Sequence, residues 1–405
     1  MSSVSTHLPV LVAGGGIGGL AAALALVRQG FAVTVLEQAP EIGEIGAGIQ
    51  IGPNGFHAFD ALGVGDKARG RAVYTDFMVM HDALDEYQVG KIPTDEKFRE
   101  RFGNPYAVIH RADVHLSLLE AAQETGQVQF HTSTRVERIE QNESSVTVWD
   151  QNGKAFQGCA LIGADGVKSV VREQFVGDPA RVTGHVVYRA VVDKKDFPED
   201  LQWNAAAIWV GPNCHLVHYP LRGGEQYNVV VTFHSREQEE WGVKDGSKEE
   251  VQSYFQGICP KARQLIDLPK TWKRWATADR EPIGQWTYGR VTLLGDAAHP
   301  TTQYMAQGAC MAMEDAVTLG EALRTHHNDW PKALDMYQRA RVARTARIVL
   351  SSREMGRIYH AKGVERLVRN DLWRGRSPER FYDAMEWLYG WNVGNCLDAA
   401  MDPAR

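Results

Sequence analysis

The sequence predicts an α/β fold: a sheet begun by a strand–turn–helix–strand unit, a second domain built on an antiparallel sheet, and a helical C-terminal region. Three observations carry this. Leu8–Ala13 is a nearly all-apolar run ending at glycine, followed by the Ala- and Leu-rich stretch Leu20–Val27 and a second apolar run, Phe31–Leu36. Short continuous apolar runs bounded by turn residues mark strands buried on both faces. Within residues 183–234, four strand-like runs follow one another: Val186–Val192, Ala205–Val210, His215–Leu221 and Tyr227–Phe233. Arg222-Gly223-Gly224 supplies a hairpin turn between the last two, which is the signature of an antiparallel sheet. Pro331–His360 reads as one long helix with proline at its first position.

Size and charge narrow the function. The chain has 405 residues, 44% hydrophobic and 23% charged, enough for roughly two or three globular domains. A net charge of −6 gives no basic field to hold nucleic acid. The five cysteines are scattered with no CxxC pair, which points to reduced thiols and to neither a disulfide frame nor a metal site. The N-terminal residues lack a basic signal-peptide region, and there is no run of 18 or more apolar residues. A cytoplasmic protein without a membrane span is expected.

The first strand runs into Gly14-x-Gly16-x-x-Gly19, and the second ends at Glu37. Gly14 permits the tight turn, Gly16 lets the backbone approach a pyrophosphate, and Gly19 lets helix and strand pack closely. The helix N-terminus offers unpaired N–H groups to the phosphates. Glu37 is placed to accept hydrogen bonds from ribose hydroxyls.

Further along, Glu44–Ile51 is another glycine-punctuated apolar segment, and Pro53–Leu62 is helix-like. Arg111 starts a further helix. Taken alone it is a surface ion-pair residue; beside a dinucleotide it would neutralise pyrophosphate charge. Residues 128–160 look like a small meander with a hairpin turn at Asn152-Gly153. The strand at Cys159–Ile162 leads into Gly163-Ala-Asp165-Gly, so Asp165 sits at a strand's carboxyl end, where α/β folds place ligands.

In Cys214–Pro220 side chains alternate, so His215, Val217 and Tyr219 share one face and His218 takes the other. A histidine and a tyrosine beside an apolar residue could hold and deprotonate a phenol. They could equally be a satisfied sheet histidine and a packing tyrosine. Near the third glycine-rich point, the strand Arg290–Leu294 ends in Gly295-Asp296, an acid suited to polyol hydroxyls. After the loop Pro300–Gln307, a helix begins at Gly308-Ala309. Its N-terminal N–H groups would stabilise negative charge on a reduced cofactor ring. His299 is read as structural or cofactor-lining. The arginines at 339, 341, 344, 347, 353 and 357 are read as a solvated helix face. The aromatic tail, 371–395, is left open between packing over the core and forming a subunit contact.

On Gly14–Gly19 with Glu37, Asp165-Gly166 with Ser169 and Arg172, and Gly295-Asp296, the chain resembles the single-component FAD-dependent aromatic hydroxylases over essentially its whole length. The resemblance implies a Rossmann-like FAD-binding domain (1–75, 100–180 and 275–325) interrupted by a β-sheet substrate domain (76–99 and 181–274). A helical region, 326–405, follows. It implies FAD contacts at Gly14, Gly16, Ile17, Gly19, Glu37, Gln50, Arg111, Asp165, Asp296, Gly308 and Ala309. NADH or NADPH would be the electron donor, without a second nucleotide-binding domain, and a homodimer is allowed.

Within that family, Cys214–Glu225, Asp279–Ile283 and Gly295–Tyr304 are most similar to the branch that hydroxylates 3-hydroxybenzoate at C6. By that resemblance His215, Tyr219, Gln303 and Tyr106 line the substrate pocket. His215 would be the catalytic base, with Tyr219 and Gln303 orienting the ring. The implied reaction takes 3-hydroxybenzoate, O2 and NAD(P)H to 2,5-dihydroxybenzoate (gentisate) through a C4a-hydroperoxyflavin. Salicylate- and 4-hydroxybenzoate-type enzymes usually have proline where this chain has Gln303. The alternatives are salicylate or 6-hydroxynicotinate hydroxylation, and, in another class, a flavin dehydrogenase or oxidase that inserts no oxygen.

Overall fold

The computed structural model describes residues 8–43 and 46–402. The N-terminal residues read above for a signal sequence, and Glu44 and Ile45 of the glycine-punctuated segment, lie outside the described residues.

A six-stranded sheet holds the first strand in its middle. Its order is Thr287–Tyr288, Val291–Leu293, Ala160–Gly163, Val10–Ala13, Val33–Leu36, Val128–His131. The last five are parallel. The register is what matters for function. Leu293 lies beside Gly163, Gly163 beside Ala13, and Ala13 beside Leu36. Four neighbouring strands therefore stop on one line, and their next residues are Leu294-Gly295-Asp296, Ala164-Asp165, Gly14 and Glu37. Three segments far apart in the chain become one edge at the carboxyl ends of parallel strands, the binding edge of open α/β sheets.

The glycines fit that edge. Gly14 has φ +101, a conformation L side chains rarely adopt. A Cβ on Gly19 would sit 1.9 Å from the Gly14 carbonyl oxygen, so the helix Ile17–Arg28 can close on the first strand only with glycine there.

Val128–His131 differs from the sequence expectation. It follows the helix Arg111–Glu124 and pairs in parallel with Val33–Leu36, so it is a crossover strand of the main sheet. The meander is the remaining three strands, Val136–Gln141, Val146–Asp150 and Ala155–Gly158. The turn expected at Asn152-Gly153 joins the last two, with Gly153 at φ +77.

The second large sheet has eight strands in the order Val243–Gly246, Trp272–Asp279, Arg181–Asp193, Gln226–His234, Cys214–Leu221, Ala205–Gly211, Phe77–Asp82, Gln88–Pro93. All pairs are antiparallel except Ala205–Gly211 with Phe77–Asp82. One face buries Tyr188, Trp209, Leu216, Val231 and Phe233 with Phe255 and Leu265. The other face is turned to a cavity.

The helix Trp330–Tyr359 corrects the reading of its arginines. Arg341 is completely buried and Arg344 mostly so, whereas Arg339, Arg347 and Arg357 are exposed. The reason is the pair Glu314-Asp315 on the helix Gly308–Thr325, fully buried against them. Burial alone would raise both carboxyl pKa values. For Glu314, Arg344 and Arg341 reverse that; for Asp315, His299 and Arg341 do, so both acids are held below the ordinary carboxylate range. Asp315 also accepts the Gly295 N–H at 3.0 Å and lies 2.5 Å from His299 Nε2. His299 is thus a strut that fixes the third glycine-rich turn. The aromatic tail folds inward: Tyr382 and Tyr389 of the helix Pro378–Tyr389 pack edge-on against Phe98 and Phe102.

Candidate active site

A cavity of about 1360 Å³ lies between the edge of the parallel sheet and the open face of the antiparallel one. That exceeds the roughly 300–1,000 Å³ of a single small-ligand pocket and leaves room for a dinucleotide and an aromatic ring together. Its wall includes Gly14, Gly16, Ile17, Glu37, Gln50, Arg111, Asp165, Asp296, Gly308, Ala309, Tyr106, His215, Tyr219 and Gln303. Of the FAD and substrate contacts that the resemblance implies, Gly19 alone is not among the residues lining it, being packed beneath the first strand.

The cofactor side fits an FAD. A Cβ on Gly16 would meet no protein atom within 4 Å, and Gly16 faces the cavity at the N-cap of a helix. The protein itself gains nothing from glycine there; a closely approaching ligand does. Glu37 accepts the N–H groups of Gly15 at 2.7 Å and Ala39 at 2.8 Å, which holds its carboxylate against the glycine turn. The Asp165 carboxylate is engaged by its own loop, accepting from Ser169 Oγ at 2.5 Å and from the N–H groups of Val170 and Val171. Burial raises its pKa against the lowering effect of these donors. Arg172 welds the second motif to the third, donating to the carbonyls of Ala297 and Ala298 while paired with Asp178.

The substrate side is built by sheet register. His215, Val217 and Tyr219 line the cavity as alternation predicted, while His218 points into the opposite layer against Phe197 and Trp203. Arg189, Val230, Val217, Ile208 and Met80 are cross-strand partners in one row and all face the cavity. The Tyr219 and His215 positions flank that row on either side. Gln303, from the loop before the Gly308 helix, donates to Thr232 Oγ1 at 3.3 Å, and Thr232 is the cross-strand partner of His215. The Tyr106 hydroxyl donates to Gln50. Gly48 crosses directly above Tyr219: a Cβ there would fall 2.4 Å from the tyrosine ring.

Burial sets the electrostatics of this floor, on which Arg189 places a cation. Burial lowers the His215 pKa to about 3, with His185 adding to the effect. Burial raises the Tyr219 and Tyr106 hydroxyls. Arg189 is pushed down by burial, opposed by Tyr219 and reinforced by Arg111.

Sequence reasoning missed Arg189. The alternation that selected His215 would have selected it, since an arginine facing away from Tyr188 and Ala190 in an otherwise apolar strand is out of place. It also missed His360, whose Nε2 is 2.8 Å from His215 Nδ1 across 145 positions. No local pattern connects them.

Comparison with known proteins gives the family. The FAD binding domain family matches residues 7–352. The chain is 85% identical over 397 residues to 3-hydroxybenzoate 6-hydroxylase of Polaromonas naphthalenivorans (strain CJ2), covering 98% of this chain and 99% of that one. It is 60% identical over 389 residues to 3-hydroxybenzoate 6-hydroxylase of Klebsiella oxytoca, covering 96% and 98%. Among solved structures, Klebsiella pneumoniae HpxO complexed with FAD and uric acid superposes with a TM-score of 0.81 at 28% identity, covering 99% and 98%. A salicylate hydroxylase substrate complex gives 0.82 at 25%, covering 98% and 99%. The chain belongs to the single-component FAD-dependent aromatic hydroxylases.

Proposed function

We propose that this enzyme uses NADH or NADPH and O2 to convert 3-hydroxybenzoate to 2,5-dihydroxybenzoate, with His215 as the base that ionises the phenol. The observation that supports it best is the convergence of His215, Gln303 and Tyr219 on one buried cavity floor facing the flavin-binding edge. The two relatives above, named for this reaction and matched end to end, support the substrate.

FAD, held along Gly14, Gly16, Asp296 and Gly308, would supply the hydride and O2 chemistry. The protein's part is to bind, orient and ionise the ring. His215, whose Nδ1 is engaged by His360, offers Nε2 to the substrate hydroxyl. Gln303, tethered by Thr232, and Tyr219 fix the plane of the ring. Arg189 supplies the positive charge for the carboxylate, and the apolar row from Val230 to Met80 excludes water. Ionising the hydroxyl raises electron density at the carbon para to it, C6 of the substrate. A well-placed base contributes about 10²- to 10⁴-fold.

The His215→Ala variant tests this. It should still reduce its flavin with the nicotinamide but release most reducing equivalents as H2O2. If it hydroxylates at the normal rate and coupling, the base is elsewhere.

The reading includes a cytoplasmic location, supported by five free thiols. No helix among the described residues is long and apolar enough to cross a membrane. It also includes a homodimer. The helix Gly363–Leu372 exposes Val364, Leu367, Val368 and Leu372 while Arg366 and Arg369 are pinned inward to Asp82. Such an apolar stripe suits a second copy of the chain, and sedimentation velocity decides it.

A further inference from the structure

The cavity floor poses a difficulty for its own base. A histidine buried to 3% exposure and surrounded by other histidines resists holding a proton. The groups around it suggest how this is met. His215 Nδ1 and His360 Nε2 are 2.8 Å apart. His360 follows the last residue of the long helix Trp330–Tyr359 as its C-cap. Its carbonyl accepts the N–H of Asn213, one residue before the strand that carries His215, so the two rings are held in register by backbone. His360 is partly exposed, whereas His215 is buried.

The rest of the cluster is aromatic. His185 packs edge-on against His360 and His234, with centroids 5.3 Å and 5.1 Å apart, and its Nδ1 lies 2.7 Å from the Tyr304 hydroxyl. Tyr304 and Tyr359 complete the contacts of His215, and His234 is exposed. Burial and the other histidines act on His360; none of the charges acting on it is a carboxylate.

We propose that His360 is the positioning and proton-relay partner of His215, on the reading above that His215 ionises the substrate phenol. His215 donates Nδ1–H to His360 Nε2, which leaves His215 Nε2 as an acceptor facing the cavity. As the phenol O–H bond breaks, an N–H bond forms at His215 Nε2. The Nδ1 proton of His215 passes to His360 Nε2, and the Nδ1 proton of His360 passes to water. The ring oxygen keeps the electron pair. No net charge accumulates on His215, so its burial does not oppose the step. A lone buried imidazole would have to hold the proton where burial disfavours it most.

The test uses the FAD-loaded enzyme and two variants. In His360→Gln the amide oxygen can accept Nδ1–H and keep the tautomer but cannot carry a proton. In His360→Ala the acceptor is gone and the space is open. Nitrogen-15 NMR of His215 should show the Nδ1–H tautomer in wild type and His360→Gln, and a shift towards Nε2–H in His360→Ala. Product formed per nicotinamide oxidised should fall about tenfold or more in both, within the range of base catalysis, with KM changed little. Imidazole in the buffer should restore His360→Ala in a concentration-dependent way. Wild-type rate and coupling in His360→Gln, or no response of His360→Ala to imidazole, would overturn the relay. Both variants are assayed on whichever phenol the wild type hydroxylates. A wrong substrate would therefore show as wild type making no gentisate, and a wrong relay as unaltered variants.

Discussion

Lowering the pH from 7.5 to 5.5 should destabilise this fold through histidines that it keeps neutral. His215 and His218 are both held at about 3 by burial, with His185 and His81 respectively adding to the effect. In the unfolded chain each would titrate near 6.5. The sign follows from linkage: these groups favour the folded state fully above 6.5, and the advantage is lost as pH falls from 6.5 towards 3. At pH 5.5 an unfolded histidine has taken up most of a proton and a folded one has not, which costs about 1.4 kcal/mol per residue, so about 2.8 kcal/mol for the two. His185, held at about 4, and His360 act in the same direction. Against a typical total of about 5–15 kcal/mol that is a large loss. The assay is urea unfolding of the FAD-loaded enzyme at pH 7.5, 6.5 and 5.5 at fixed ionic strength. His218 provides the control, since neither of its ring nitrogens has a partner and it lies on the face away from the cavity. His218→Leu should remove about 1.4 kcal/mol of the pH-dependent loss, whatever it does to stability at pH 7.5. A flat profile between pH 7.5 and 5.5, or an unchanged slope in His218→Leu, would refute the reasoning.

Other consequences follow from the same structure. Arg189→Met should raise KM for 3-hydroxybenzoate about 10- to 100-fold, the scale of a charged hydrogen bond, while leaving 3-hydroxybenzyl alcohol, which has no carboxylate, little changed. Equal losses on both compounds would remove Arg189 from carboxylate binding. Arg341→Met should cost about 3–5 kcal/mol of unfolding free energy, because it strips a cation from the fully buried Glu314 and Asp315. A loss below about 1 kcal/mol would mean those carboxylates find other partners.

The parts of this molecule legible in the sequence were those set by short-range rules. The strand, glycine turn and helix at 10–28 follow from local apolar runs and from what glycine alone permits. So does the alternation that put His215, Val217 and Tyr219 on one face. Helix Pro53–Leu62 matched its expected bounds because proline starts it and Gly63, at φ +76, ends it. What the sequence hid depends on partners far along the chain. Arg341 looked solvated because its acids are on another helix, 26 and 27 positions earlier. Val128–His131 looked like part of a hairpin series because nothing local tells a crossover strand from a meander strand. His360 reaches the strand of His215 only through the end of a 30-residue helix, which no local pattern reveals.

The central claim is insertion of one oxygen atom from O2 para to the phenol of 3-hydroxybenzoate. The most direct measurement is a panel of hydroxybenzoates and 6-hydroxynicotinate, scored for stimulated nicotinamide oxidation and for product structure under ¹⁸O2. This account predicts the strongest coupled oxidation with 3-hydroxybenzoate, yielding 2,5-dihydroxybenzoate with one ¹⁸O in the new hydroxyl. An unlabelled product, or coupled hydroxylation of salicylate or 6-hydroxynicotinate in place of 3-hydroxybenzoate, would contradict it.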